Sequence, residues 1–218
     1  MEKAVKLALA FQDDYMVTIT LEGSHNTFKV QKALLCSTSE YFKKALNGRF
    51  KESGDRTLKL LGCEEETFQL VLYWLVHRTL PDAAEETDTA SLDYEKRYQL
   101  SSNRQVLLIK VWSFGDACLI TKLQNEAMRS LLNPLRLYSV SPVALREAFA
   151  TTSVSSVLRE VLMTEIVPDL YDVDYDEEEM AALGAIPGFL GALLGVTRQC
   201  GSRESASSQD PKQFMVRE

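Results

Sequence analysis

Two stretches near the N-terminus have an apolar residue at every second position. They are MVTITL at residues 16–21 and FKVQ at residues 28–31. A period of two predicts half-buried β-strands, and the β-branched residues of the first stretch favour the same structure. The intervening EGSHN at 22–26 has turn chemistry, so the two strands are expected to form an antiparallel hairpin. TLKLL at 57–61, closed by Gly62, predicts a third short strand.

From Ala33 the apolar spacing changes to three and four residues, which predicts one amphipathic helical segment up to Gly48. The nearly continuous apolar residues of 68–76 follow three glutamates and predict a helix that is buried over most of its circumference. Helical periodicity returns over residues 105–132. Gly115-Asp116 and Ile120-Thr121 are expected to divide that stretch into two helices.

The C-terminal third of the chain predicts further helices. Ser141 followed by Pro142 is a helix-start signal, and two helices are expected at 142–150 and at about 153–167. The apolar residues of 186–194 predict one more short helix. Residues 200–218 have the composition of a disordered tail.

Three segments leave more than one interpretation open or are expected to be exposed. The apolar run from Val5 to Phe11 is compatible with a strand or a short helix. Residues 81–96 are acidic with few apolar positions, which predicts a solvated loop. The acidic run 172–179 is interpreted as a solvated linker or as helix N-terminal charge, because it lacks the glycine and closing glutamate of an EF-hand.

Charge and cysteine spacing exclude several classes of protein. The net charge of −7 argues against a direct nucleic-acid-binding surface, which requires clustered Lys and Arg. The longest apolar runs are too short to span a membrane, so an intracellular protein, cytoplasmic or nuclear or both, is expected. The four cysteines form no CxxC pair, which predicts neither a metal site nor a disulfide framework, and the first three are expected to be buried reduced thiols.

The sequence contains no pattern that is typical of an enzyme. Its two histidines, His25 and His77, have no nucleophile motif beside them, and the glycine-rich nucleotide-binding motifs are absent. We therefore expect a protein without catalytic residues and without a cofactor.

Taken in order, these segments resemble the BTB/POZ family, in its fungal type. The resemblance rests on the strand-to-helix entry at 28–35, on Ser39-Glu40-Tyr41-Phe42, which is similar to the family's serine-x-x-phenylalanine signature, and on the segments at 58–60, 68–75 and 107–125. It covers roughly residues 14–135 and extends more weakly to Leu162. The family's usual His, Tyr and Gly are replaced at or near Gln31, Val76 and Arg78.

The resemblance implies an α+β fold, in which a small, mostly antiparallel sheet is flanked by a helical cluster and followed by additional α-helices. The implied division is an N-terminal segment at 1–13, a BTB/POZ domain at 14–135 with an acidic insertion at about 82–96, a helical extension at 136–199 and a tail at 200–218.

The resemblance also implies a non-enzymatic adaptor that binds other proteins, self-associates and recruits substrates to a ubiquitin ligase by docking a cullin-3-type scaffold. The family's docking motif, apolar-x-Glu, has its counterpart in Phe50-Lys51-Glu52, with Tyr41 and Phe42 shaping the helix beneath. An exposed Phe can anchor in a pocket while the carboxylate fixes register at the rim.

Each of these interaction hypotheses has an alternative. Phe50 can instead pack onto its own domain, and the domain can serve only as an oligomerisation module of a transcription-associated complex, without binding a cullin. For self-association, the Val5–Phe11 segment either adds to a second copy in a homodimer or packs within its own chain.

Overall fold

The computed structural model describes residues 16–47, 57–82, 92–172, 175–199 and 209–216. These residues form three strands, nine α-helices and one short 3₁₀ helix. In chain order they are β1 (Met16–Leu21), β2 (Thr27–Gln31), α1 (Lys32–Thr38), α2 (Glu40–Asn47), β3 (Thr57–Leu60), α3 (Glu65–His77), α4 (Tyr94–Ala117), α5 (Thr121–Leu135), α6 (Pro142–Thr151), α7 (Val157–Asp172), α8 (Glu177–Gly184), α9 (Phe189–Gln199) and the 3₁₀ helix Pro211–Phe214.

The sheet has β1 at its centre. β1 pairs antiparallel with β2, with Ile19 opposite Phe28, so the predicted hairpin is confirmed. β1 also pairs parallel with β3, with Ile19 beside Leu58, so the sheet is mixed rather than mostly antiparallel. A parallel pair requires a crossover connection, and the chain between β2 and β3 contains helices α1 and α2.

Helices pack on the apolar face of this sheet. The alternate residues Val17, Ile19 and Leu21 are all buried, and together with Phe68 and Trp74 of α3 they belong to one continuous hydrophobic core. Five residues of α3 are buried and three are half-buried, as the apolar run predicted, but Val76, which belongs to that run, is 70% exposed. In the last turn of α3, Val76 therefore faces solvent, while Trp74 and Leu75 remain buried.

The predicted single helix after β2 is two helices. Ser39 has an extended backbone, with φ −141° and ψ 129°, between α1 and α2. Because only one residue leaves the helical conformation, the three-and-four spacing of the apolar residues passes almost unchanged through the break. The predicted helix C-terminus at Gly48 lies outside the described residues.

Helices α4 and α5 pack along each other, and the predicted division between them is confirmed: α4 ends at Ala117 and α5 begins at Thr121. α4 nevertheless begins at Tyr94, inside the stretch predicted to be a solvated loop. The Asp93 side chain accepts a hydrogen bond from the Lys96 backbone N–H at 2.9 Å and so caps the helix start. Residues 83–91 of that stretch lie outside the described residues.

The helical extension is attached to α4 through a buried side chain. Gln105 is fully buried, and its amide donates to the Ser139 carbonyl and accepts from the Ser141 backbone N–H, both at 3.0 Å. Ser141 in turn caps α6, as predicted, by accepting from the Ala144 backbone N–H. This network fixes the start of α6 against α4.

The second helix of the extension, α7, begins at Val157, four residues later than expected, and continues to Asp172. Arg159 joins it to the end of α6. Its guanidinium lies 4.5 Å from the Phe149 ring centroid and donates to the Phe149 carbonyl at 2.7 Å, as well as to the side chain and the carbonyl of Thr152. Several donors of one rigid group therefore hold the α6–α7 connection.

The acidic run after α7 ends in a helix start. Asp176 and Glu179 form a capping box at α8, with each side chain accepting from the other residue's backbone N–H. The second Glu179 oxygen accepts the Tyr98 hydroxyl at 2.7 Å, and this bond links α8 to α4. The run thus provides helix N-terminal charge, one of the two interpretations given above. The predicted apolar helix after it is α9.

The expectation of a disordered tail is corrected for residues 209–216. They include the 3₁₀ helix, and Phe214 is buried in the core with 9% of its surface exposed. The polar composition of 200–213 concealed this segment, because its anchoring residues lie only at its end, from Phe214 to Val216.

Among the described residues, no single helix is long and apolar enough to cross a membrane. The bent pair of Glu177–Gly184 and Phe189–Arg198 reaches the required length and composition only when its two helices are joined across a 96° bend.

Candidate protein-docking site

The three residues of the predicted docking motif lie outside the described residues. Phe50, Lys51 and Glu52 fall between α2 and β3, in the gap from 48 to 56. Their role in docking stays a prediction. The described residues nevertheless define the surface next to that gap.

The other two predicted site residues have different environments on α2. Tyr41 is 37% exposed, whereas Phe42 is fully buried in the core. Their rings meet edge to face, with centroids 5.4 Å apart. Phe42 therefore supports the helix from below, and Tyr41 is the residue of this pair that is exposed to solvent.

Ser39 ties the corner between α1 and α2 to a distant turn. Its hydroxyl donates to the Cys118 carbonyl at 2.5 Å and accepts from the Phe42 backbone N–H at 3.2 Å. The second bond caps α2, and the first crosses 79 residues of sequence to the end of α4. Ser39 and Phe42, the two residues of the serine-x-x-phenylalanine signature, thus act together: Ser39 caps α2 and Phe42 is a core residue.

The turn that Ser39 holds presents an exposed leucine. Ile120 donates its N–H to the Gly115 carbonyl at 2.7 Å, and Leu119 donates to the Asp116 carbonyl at 3.1 Å, which is the Schellman pattern of a helix C-terminus. Leu119 therefore has a left-handed backbone, with φ 55°, where glycine is usual. This conformation costs a leucine roughly 1–2 kcal/mol, and its side chain is 63% exposed.

Arg78 ends α3 in the same left-handed conformation, with φ 62°. Glycine adopts this conformation most easily, which fits the glycine found near this position in the family that the sequence resembles. The Arg78 guanidinium lies 5.1 Å from the Trp74 ring centroid, and its Nη1 donates to the Thr38 hydroxyl at 3.5 Å. Arg78 thus connects the ends of α1 and α3.

The C-terminal ends of α1, α3 and α4, together with the first turns of α5, line a groove of about 750 Å³. We call it the helix-end groove. Its lining residues are Ser37, Thr38, Trp74, Arg78, Leu119, Ile120, Thr121, Lys122, Asn125, Glu126 and Arg129.

The lining of the groove contains more positive than negative charge. Arg129 pairs with Glu126 at 2.9 Å, which leaves Arg78 and Lys122 as the further charged groups of the lining. A positive wall beside an exposed leucine suits a partner surface with acidic and apolar groups. Sequence reasoning missed this local charge because its residues come from separate helices of an acidic chain.

The three described cysteines have raised rather than lowered pKa values. Burial raises the pKa of Cys63 and of Cys118 to about 12, and both side chains are buried as predicted. Burial also raises the pKa of Cys36, which is only half-buried. A raised pKa disfavours the thiolate, the reactive form. In the described ranges no group of three or more His, Cys, Asp or Glu side chains is arranged to hold a metal ion.

The mixed sheet with helices packed on it is an α+β fold, and its groove is suited to binding another protein. The sequence model of the BTB/POZ domain family matches residues 8–108 of the chain. The chain therefore contains a BTB/POZ domain, a protein-interaction module, followed by further helices. Among curated proteins, none matches the chain.

Proposed function

We propose that this chain is an intracellular, non-enzymatic adaptor that docks a cullin-3-type ubiquitin ligase scaffold through the helix-end groove and the adjoining Phe50–Glu52 loop. The observation that carries the proposal is the exposed Leu119 in a strained turn beside positive charge. A solvent-exposed leucine in an unfavourable backbone conformation gives the folded chain little stability, which points to a role in contact with a partner.

The residue that precedes the loop in the sequence is connected to the groove through α1. Asn47, the last described residue before the loop, contacts the Cys36 sulfur through its side-chain amide at 3.7 Å. Cys36 directly precedes Ser37 and Thr38, which line the groove. A partner that contacts both surfaces can bury Phe50 and Leu119 as two apolar anchors, and truncating such an anchor commonly costs more than 1 kcal/mol of binding free energy.

The test is a calorimetric titration of the full chain against the N-terminal domain of a cullin-3-type scaffold. We expect saturable binding that is abolished in a Phe50→Ala/Glu52→Ala double variant and weakened about tenfold or more in Leu119→Ala. Val154→Ala is the matched control, because Val154 is an 89% exposed apolar residue outside the groove lining, and it should bind like the wild type.

Circular dichroism must show that every variant is folded. A folded wild type that does not bind the scaffold would overturn the proposal. Unchanged affinity in both the double variant and Leu119→Ala would show that any docking uses another surface.

Self-association is the second candidate function, as an oligomerisation module of a transcription-associated complex without cullin binding. It is favoured by the described sheet, in which β2 and β3 each have one neighbouring strand and so leave an outer edge. Such edges accept a strand from another chain, and the Val5–Phe11 segment, outside the described residues, is the proposed strand. Sedimentation equilibrium at micromolar concentration should detect a dimer that a Val5→Asp substitution weakens; a monomer would exclude this function.

A further inference from the structure

The side chain of Asn125 on α5 makes two hydrogen bonds, both to the backbone of one distant residue. Its Nδ2 donates to the Val216 carbonyl at 3.0 Å, and its Oδ1 accepts from the Val216 N–H at 2.7 Å. Asn125 is only 4% exposed, so both bonds are made away from bulk water. An amide that pairs with both main-chain groups of one residue recognises an extended backbone independently of the side chain it carries.

A side-chain anchor accompanies this backbone contact. Phe214 is buried in the hydrophobic core, and the 3₁₀ helix that carries it contacts both α5 and α7. Met215 and Val216 pack against the same core as partly buried residues. One aromatic anchor followed by two apolar residues and a main-chain clamp is the arrangement by which a groove holds a short peptide.

The segment has local structure of its own, and three of its eight described residues are exposed. Asp210 caps the 3₁₀ helix by accepting from the Lys212 backbone N–H at 3.0 Å. Asp210, Lys212 and Gln213 are exposed, so the contact with the rest of the chain is concentrated in the last residues of the segment. The sequence between α9 and Gln209, CGSRESASS, contains no large apolar residue and can span about 30 Å when extended.

We propose that the cleft between α5 and α7 is a peptide-binding site for an extended segment with an aromatic-apolar-apolar end, and that residues 209–216 occupy it as a releasable ligand. The occupant is the chain's own segment, bound in cis. This inference does not depend on docking of a cullin. Asn125 also lines the helix-end groove, so occupancy of the cleft sets one wall of that groove.

The experiment uses the full chain with a protease site engineered within residues 201–208. After cleavage, a fluorescent peptide of the sequence QDPKQFMVRE is added, and its binding is followed by anisotropy. We expect saturable replacement of the resident segment in the cleaved chain and little binding to the uncleaved chain, whose own segment competes at high effective concentration. A peptide with Phe214→Ala should bind about tenfold more weakly or worse.

Two chain variants separate recognition from folding. Asn125→Ala should weaken binding of the peptide, whereas Asn133→Ala, an exposed asparagine on the same helix, should not. No exchange of the segment in a cleaved chain that remains folded would overturn the proposal, because the segment would then be a fixed part of the core. Concentration-dependent dimers of the uncleaved chain that Phe214→Ala abolishes would overturn the assignment in cis, in favour of a second copy's segment.

Discussion

Replacing Ser39 with alanine removes two hydrogen bonds at the corner between α1 and α2. Loss of the bond from the Phe42 N–H removes the cap of α2, which typically costs about 1 kcal/mol. Loss of the bond to the Cys118 carbonyl deprives a buried acceptor of its donor, for a further 1–2 kcal/mol or so. Because Ser39 is 2% exposed, water cannot readily replace either bond.

We therefore expect Ser39→Ala to lower the free energy of unfolding by about 2–3 kcal/mol, a large fraction of the stability of an ordinary domain. Urea denaturation of the full chain measures this loss, and the melting temperature should fall by roughly 5–10 °C. Ser37→Ala is the matched control. Ser37 is exposed and bonds only within its own helix, to the Leu34 carbonyl, so its loss should change the stability by less than about 0.5 kcal/mol.

Ser39→Asp distinguishes the two bonds. Aspartate caps a helix as well as serine does, but an ionised carboxylate has no proton to donate to the Cys118 carbonyl and would be buried beside it. If the bond to the Cys118 carbonyl matters more than the cap, Ser39→Asp should destabilise the protein at least as much as Ser39→Ala does. A Ser39→Ala variant within about 0.5 kcal/mol of the wild type would refute this reasoning.

Three further predictions concern glycines and thiols. Gly115→Ala should lower the free energy of unfolding by about 1–3 kcal/mol, because its Cβ would lie 2.9 Å from a side-chain atom and 3.2 Å from a backbone atom of α5. Gly191→Ala is in an exposed helical position with nothing within 4 Å, so it should raise the free energy of unfolding by about 0.5–1 kcal/mol. Urea denaturation of the two variants compares these changes. At pH 8 a thiol reagent should modify Cys36 before Cys63 and Cys118, as peptide mass spectrometry can resolve. Because the last two have folded pKa values of about 12 against 9.0 for an unperturbed thiol, stability should be full below pH 9 and should fall as the pH rises towards 12; equal stability at pH 8 and pH 11 would contradict this sign.

The sequence predicted the elements whose signals are local. The strand Met16–Leu21 follows from its alternation, and the start of α6 follows from Ser141 and Pro142, since both signals lie within a few adjacent residues. The start of α4 was predicted about eleven residues too late. Its first turns are polar, and they are stabilised by the Asp93 cap and by the bond from Tyr98 to Glu179 in a different helix.

The parallel pairing of β1 and β3 was also not predictable from periodicity, because alternation gives the face of each strand but not the direction of its neighbour. The surface charge of the helix-end groove has a similar origin. Arg78 follows α3 and Lys122 belongs to α5, so they line one groove only once the chain has folded.

Of the site residues predicted from the resemblance, the structure describes only Tyr41 and Phe42. The structure adds Ser39, which caps α2 and also bonds to the distant turn at Cys118. Ser39 is part of the signature, but hydrophobic spacing could not assign it this role. Leu119 carried no signal, because one leucine beside other apolar residues does not indicate a left-handed backbone.

Buried polar side chains that form hydrogen bonds across long sequence separations belong to both sites. Ser39 reaches Cys118 across 79 residues, and Asn125 reaches Val216 across 91. Each contact depends on one buried polar side chain and not on a repeated apolar pattern, so hydrophobic periodicity gives no signal for it. Because an unsatisfied buried amide is costly, Asn125 also reports on occupancy: it loses both hydrogen bonds to Val216 whenever the C-terminal segment leaves. A change at one wall of the helix-end groove must therefore accompany release of that segment.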